Sequence, residues 1–241
     1  MRRGYKVEAM KLVVFDLDGT LARTSVVDAE CYARSLVDTL GLQGVDSDFN
    51  RYEHVTDEGI LTQFFIEHFG RVPVAWERES IRDRFVSLLA DRCAADATEF
   101  AEVSGAGSLM ARLLGGARWG VALATGGWRR SAEFKIRHAG LHAAGLPSAF
   151  AEDGPSREAI VKAAIGRACQ QYRQPKFERV VSVGDSLWDV RTARNLGLPF
   201  LGVAAEPGAT ILRANGVSHV LEDYLDTAQC LQFLDEARVP R

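Results

Sequence analysis

The chain has 241 residues, 47% of them hydrophobic and 25% charged. That suffices for one large domain, or a main domain with a smaller insert, and is too evenly mixed for a disordered or low-complexity chain. A net charge of −3 offers no field to nucleic acid or to an anionic membrane. No apolar run approaches the roughly 20 residues of a membrane span. Four scattered cysteines, Cys31, Cys93, Cys169 and Cys230, form no CxxC pair and lie far from any histidine at ligand spacing. They point to reduced thiols in a cytoplasmic protein, not to zinc or disulfides. Only five residues are lysine: Lys6, Lys11, Lys135, Lys162 and Lys176.

Residues 1–9 are basic and read as a loosely held extension before Met10, since the short apolar run that follows ends in acids and is no signal peptide. That run, residues 12–15 (LVVF), is a buried parallel strand stopped by Asp16-Leu17-Asp18-Gly19-Thr20. Residues 24–104 contain no convincing strand. Helices are expected over 27–40, 59–69 and 76–95, with turns at Gly41, Gly44, Gly70 and Pro73. So long a helical stretch exceeds one crossover and reads as an inserted α-helical cap, on a core formed by residues 1–23 and 105–241. Residues 121–124 form the next strand, stopped by Thr125-Gly126-Gly127, and a helix follows over 129–139. A weak strand at 148–151 precedes a helix over 157–171, whose apolar stripe is Ile160, Val161, Ala164, Ile165 and Ala168. Strand 180–183 ends at Gly184-Asp185-Ser186, helix 188–196 closes on Gly197, and strands follow at 200–204 and 219–221. Alternating strands and helices imply an α/β fold: a three-layer, Rossmann-like parallel sheet whose ligands bind at the carboxyl ends of the strands.

Every polar stop falls on that edge. Asp16 and Asp18, one residue apart, project alike from an extended chain, and Gly19 permits the turn. Such a pair can divide into an ionised nucleophile or ligand and a proton donor. Asp185 and Asp189 stand four apart at the mouth of a helix. Four carboxylates on one edge would repel one another, and a hard divalent cation would relieve them. All-oxygen ligation favours Mg²⁺.

A hydrophobic strand with DxDGT, a second with Thr-Gly and a third with GDxxxD resembles the haloacid dehalogenase superfamily. The likeness runs from about residue 12 to the C-terminus and is greatest for the phosphoglycolate-phosphatase-like members with a helical cap after the first motif. The resemblance implies a phosphatase acting on a small phosphorylated metabolite. Asp16 would attack phosphorus and become an aspartyl-phosphate, while Asp18 would protonate the leaving oxygen and then help deprotonate water. Mg²⁺ would be held by Asp16, Asp185 and the Asp18 carbonyl, with Asp189 beside it. Thr125 and the Gly126 N–H would hold the phosphoryl group. A phosphotransferase of the β-phosphoglucomutase kind is the alternative, and a non-catalytic binding protein a more distant one. Dehalogenation is disfavoured because Asp18 is present, and phosphonate hydrolysis because residues 24–104 contain no lysine. Monomer and dimer are both open.

The resemblance also calls for a cation on the phosphoryl group, usually lysine, shortly before the GDxxxD strand. Lys11 and Lys176 precede strands and so belong to the wrong edge. Lys135 lies ten residues past Thr125, about 15 Å along a helix, and Lys162 sits more than a turn inside its own. Arg157 opens a helix just after a strand end, where anions are favoured and a guanidinium can grip phosphate; Lys162 is the reserve. In the insert, His54, Thr56 and Asp57 form a polar loop expected to contact substrate, with Thr56 or Asp57 also able to cap the helix that follows. Trp128 and Arg129 are expected to border the pocket, and Trp188 to pack beneath it.

Overall fold

A computed structural model describes residues 10–241 of the chain; the extension read at residues 1–9 lies outside them. Its strands are β1 (Lys11–Phe15), β2 (Trp119–Ala124), β3 (Ser148–Ala149), β4 (Val180–Gly184), β5 (Phe200–Val203) and β6 (Val220–Leu221). All pair in parallel in the order β3-β2-β1-β4-β5-β6. The helices are α1 (Ser25–Leu40), α2 (Asp57–Phe69), α3 (Ala75–Ala95), α4 (Ala106–Leu114), α5 (Arg129–His138), α6 (Arg157–Gln171), α7 (Leu187–Leu196), α8 (Gly208–Ala214) and α9 (Thr227–Glu236). The fold is therefore α/β and Rossmann-like.

Strand alternation assigns the two faces. Val13 and Phe15 of β1, with Val121, Leu123, Val181 and Leu201, meet Leu109 and Leu113 of α4, Ala132 of α5 and Cys230 and Leu234 of α9. Leu12 and Val14, with Ala122 and Ala124, meet Ile160, Val161, Ala164 and Ala168 of α6. This is the stripe expected from the sequence, apart from Ile165, which is only partly buried. Val190 and Ala193 of α7 pack with Phe200 and Leu212.

Three helices were not expected, namely α4, α8 and α9. Two carry signals in hindsight: α4 has Leu109, Met110 and Leu113 at helical spacing behind Gly105, and α9 follows Asp226, whose side chain accepts from Gln229 N–H. The third sheet strand is shorter than the expected 148–151, because Ala151–Asp153 turns into a single 3₁₀ turn.

Between β1 and β2 the chain forms α1, α2 and α3 around their own apolar cluster of Tyr32, Leu36, Phe64, Phe65, Ile81, Phe85 and Leu89. The cluster also takes in Trp128 and Ala151 from the loops after β2 and β3. The outgoing and returning segments pair side by side. Arg23 N–H donates to Ala101 O at 2.9 Å and Val103 N–H to Leu21 O at 2.9 Å, with Ala22 and Glu102 facing each other in antiparallel register.

Candidate active site

Register brings the motifs together. Phe15 of β1 stands level with Leu123 of β2 and Val183 of β4, so the residues just beyond them emerge side by side from three adjacent strands. Asp16 is 6% exposed. Its N–H continues the ladder to Val183 O at 3.0 Å, while its Oδ1 is buried without a hydrogen-bond partner. Carboxylate oxygens of Asp16, Asp185 and Asp189 lie within 4.8 Å of one another. Gly19 makes this convergence possible. Its φ is +72°, and a Cβ there would fall 2.0 Å from Asp185 Oδ2.

Arg157, the first residue of α6, turns its side chain into this cluster and is 15% exposed. Its Nη1 lies 2.7 Å from Asp189 Oδ1 and 3.5 Å from Asp16 Oδ1, and its Nε donates to Val55 O at 2.8 Å. The guanidinium also stacks 5.5 Å from the Trp188 ring. Gly126 leaves room for it, since a Cβ at that position would sit 2.9 Å from Arg157 Nη2. Buried Thr125 accepts from Gly127 N–H at 3.1 Å through its hydroxyl, which shapes the loop after β2. Lys162 has no part in the cluster.

Burial governs the charges. It pushes the Asp16 carboxyl up to about 7, with Arg157 pulling the other way and Asp189 and Asp18 adding to the rise. Burial, then Asp16, pushes Asp185 up to about 7. Burial lifts Asp189 to about 6 against the pull of Arg157. Three crowded carboxylates that resist ionisation, one with an orphaned oxygen, make an all-oxygen donor set suited to a hard divalent cation.

A second cation occupies the other end of the site, and it corrects the expectation that Lys135 lies too far along its helix. Lys135 is fully buried, with Nζ 2.6 Å from Asp18 Oδ2 and 2.5 Å from Asp28 Oδ1. The axial count misled because Cα–Cβ bonds tilt toward the helix N-terminus, so a long side chain reaches back toward the catalytic edge. Burial opposes the charge on Lys135, but Asp18, Asp28 and Asp57 outweigh it and raise the ammonium well above its ordinary range. The signal was present: Lys135 shares the buried face of α5 with Ser131 and Ala132, and a lysine in such a place demands acidic partners. Thr24 was missed too. It precedes α1 but caps nothing with its side chain; its hydroxyl donates to Asp18 Oδ1 at 2.5 Å instead.

The residues around the start of α2 divide. Asp57 is 7% exposed, and its Oδ2 accepts from Trp128 N–H at 2.8 Å. Burial, then Asp28, raises its carboxyl well above the ordinary range. Asp28 is pushed up to about 6, by burial and then Asp18. Thr56 caps α2 through Gly59 N–H at 3.0 Å and also lines the cavity described below. The His54 side chain is exposed and takes no part in that lining. Trp128 and Arg129 do not border the pocket as expected. The Trp128 ring is buried against Tyr32, Phe85 and Arg82, because the apolar cluster of α1–α3 is its nearest shelter from water. Arg129 lies over Phe150 on the far side. Trp188 both packs on Arg157 and lines the cavity, with its Nε1 buried and unpartnered.

A cavity of about 150 Å³ opens over these groups, between the sheet edge and the helical insert. Asp16, Asp18, Asp28, Asp57, Arg157 and Trp188 are among its walls. Among the described residues no helix is long and apolar enough to cross a membrane.

Comparison with known proteins agrees with this geometry. A search of curated proteins returns no match. Solved structures are similar over nearly the whole chain. A hydrolase from Pseudomonas syringae matches with TM-score 0.67 and 19% identity, over 95% of this chain and 99% of that one. A provisionally assigned β-phosphoglucomutase from Bacteroides vulgatus matches with TM-score 0.66 and 14% identity, over 98% and 93%. A predicted phosphoglycolate phosphatase from Haemophilus somnus matches with TM-score 0.60 and 15% identity, over 95% and 100%. At these identities the likeness is one of fold. The family model for haloacid dehalogenase-like hydrolases matches residues 10–197, the stretch that carries all three acidic and Thr-Gly motifs, and the chain belongs to that family.

Proposed function

We propose that the protein is a Mg²⁺-dependent phosphatase that hydrolyses a small phosphorylated metabolite through an aspartyl-phosphate on Asp16. The observation that carries this reading is the buried Oδ1 of Asp16 in the cavity wall, which has no hydrogen bond and lies 3.5 Å from Arg157 Nη1. An ionised carboxylate attacks an anion only where positive charge and donors offset the charge that develops. Asp16, Asp185, Asp189 and the Asp18 carbonyl would hold Mg²⁺, which would supply that neutralisation at the phosphoryl oxygens.

The chain's own residues then divide the work. Arg157 grips the phosphoryl group from the side of α6, and Thr125 with the Gly126 N–H grips it from the loop after β2. An Asp16 oxygen bonds to phosphorus as the bond to the leaving oxygen breaks, and Asp18 delivers its proton to that oxygen. Asp18 next takes a proton from water, whose oxygen attacks phosphorus and frees Asp16 and inorganic phosphate. Lys135 and Thr24, one on each Asp18 oxygen, fix the carboxyl group in place for both transfers.

Phosphate release from small phosphate monoesters in the presence of Mg²⁺ tests this reading. Release that is insensitive to EDTA, or that survives in Asp16→Asn, would overturn it. Recovery of a phosphorylated isomer in place of inorganic phosphate would favour the phosphotransferase.

We read residues 24–104 as a cap on the core of residues 1–23 and 105–241, moving about the paired linkers. The apolar cluster of α1–α3, whose buried members include only Trp128 and Ala151 from the core, supports this, as does the cavity at their boundary with the core. Crystal structures with and without a phosphate analogue should differ by a rotation about residues 21–25 and 103–106. Identical cap positions in both would count against it.

A further inference from the structure

The far end of the cavity, beyond Asp18, meets whatever alcohol leaves with the phosphoryl group. Apart from Arg157, the charged groups in its walls are all carboxylates. Asp28 lies across Lys135 from Asp18, the Asp57 carbonyl accepts from the Tyr32 hydroxyl at 2.7 Å, and Asp48 and Phe49 are among the other lining residues. Arg157 is the one cation among the lining residues, and it is held at the phosphoryl end by Asp189 and Asp16. Lys135 does not line the cavity; its ammonium is enclosed between Asp18 and Asp28. The insert that roofs this end contributes no lysine at all. Asp28 gives one oxygen to Lys135 and Asp57 gives one to Trp128 N–H, which leaves the second oxygen of each for a donor on the bound molecule. The cavity is a ligand site independently of these acids, because Asp16 Oδ1, buried without a hydrogen bond, lies in its wall.

We propose, on the strength of the phosphatase reading above, that this end selects phosphate esters of alcohols that carry hydrogen-bond donors and no negative charge, amino alcohols above all. A hydroxyl or ammonium on the leaving group would meet Asp28 and Asp57 as acceptors. A carboxylate would enter among carboxyl groups, Asp18 and Asp28 first, with no free cation to answer it, and partial burial magnifies that penalty. Selectivity of this kind comes as much from repelling the wrong ester as from binding the right one. At about 150 Å³ the cavity suits a leaving group of a few carbons.

Three two-carbon esters of nearly equal size separate the cases: 2-aminoethyl phosphate, 2-hydroxyethyl phosphate and phosphoglycolate. With Mg²⁺ present, kcat/KM should fall in that order, by on the order of tenfold at each step. Asp57→Asn keeps an oxygen for Trp128 N–H but turns an amide donor toward the ligand where a carboxyl oxygen stood. It should shrink the preference for the aminoethyl ester over phosphoglycolate by about tenfold. Phosphoglycolate turning over as well as the aminoethyl ester would overturn the proposal and leave the phosphatase reading standing. An unchanged preference in Asp57→Asn would remove Asp57 from it. No phosphate released from any of the three, or from p-nitrophenyl phosphate, would overturn the phosphatase reading and this selectivity with it.

Discussion

At the phosphoryl end of the cavity every charged group stands within a few residues of an element's end: Asp16 after β1, Asp185 after β4, Asp189 in the first turn of α7 and Arg157 at the first position of α6. At the leaving-group end the groups come from three helices, two of them in the insert. Lys135 lies inside α5, Asp28 in the first turn of α1, and Asp57 at the first position of α2, bonded to the backbone of Trp128. The first end is a property of how strands stop, and one sheet suffices to build it. The second exists only when the helical insert is docked against α5, and it places a fully buried ammonium among three carboxylates. Buried charge of that sort holds a structure to one arrangement as long as every partner is present, and removal of one partner is expensive. The two ends should therefore fail differently, chemistry first at one and folding first at the other.

Asp16→Asn gives the largest effect and confines it to chemistry. Turnover should drop by about 10⁴-fold or more, the scale on which a lost nucleophile is felt. The unfolding midpoint should hold or rise, because a crowded carboxylate is gone. A folded variant with near wild-type phosphate release would break the assignment of the phosphoryl end.

Lys135→Met tests the other end. Urea unfolding at pH 8 should show a loss of about 3–5 kcal/mol, the cost of leaving buried charge unpaired. The loss should shrink at pH 5, and the sign follows from Asp28. Its folded carboxyl is already raised to about 6, above the unfolded range, so between about 4 and 6 the folded state binds more protons than the unfolded. Stability from this group therefore increases as pH falls through that window, and more so once Lys135 no longer opposes protonation. An equal loss at both pH values would mean that packing, not charge, is what the lysine supplies.

Arg157→Ala should lower kcat by roughly 10²–10³, as when one preorganised charge-stabilising donor is lost. Arg157→Lys should recover only part of it, since a point charge replaces a planar fork. A purely structural arginine would instead lower the unfolding midpoint and leave kcat alone.

The smallest effect expected is a linkage between metal and pH. Burial holds Asp16 and Asp185 up to about 7, so without a cation the folded state loses stability as pH rises from about 4 to 7. Mg²⁺ at a hundred times its dissociation constant should restore about 2.7 kcal/mol at pH 8 and far less at pH 5, where protons compete for the same oxygens. Equal stabilisation at both pH values would place the ion elsewhere.

The contrast also explains what could be read from the sequence. Asp16, Asp18, Asp185 and Asp189 were legible because a short apolar run that stops at an acid is a local pattern, and parallel strands put all such stops on one edge. Arg157 was legible by its place at a helix start. Lys135 was missed because residue spacing along a helix says nothing of where a flexible side chain points; its one signal was its place on the buried face of α5. Asp28 carried no signal: an acid in the first turn of a helix resembles any solvated residue favoured by the helix dipole. Trp128 was read as a pocket residue because it follows Thr125-Gly126-Gly127. Its ring went instead to the apolar cluster of the insert, a preference that exists only once α1 and α3 are folded beside it.

The side-by-side pairing of residues 21–23 with residues 101–103 has a consequence for how such a chain could have arisen. The sheet meets the whole excursion as two adjacent ends joined by two hydrogen bonds, Arg23 to Ala101 and Val103 to Leu21, the geometry that a tight hairpin would present. Nothing in that junction measures the length of what lies beyond it, and the entropy of closing a longer loop grows only with the logarithm of its length. Helices could have been added to or trimmed from the roof, one turn at a time, without disturbing the register that carries Asp16. Selectivity would then be free to drift while the phosphoryl chemistry stayed put.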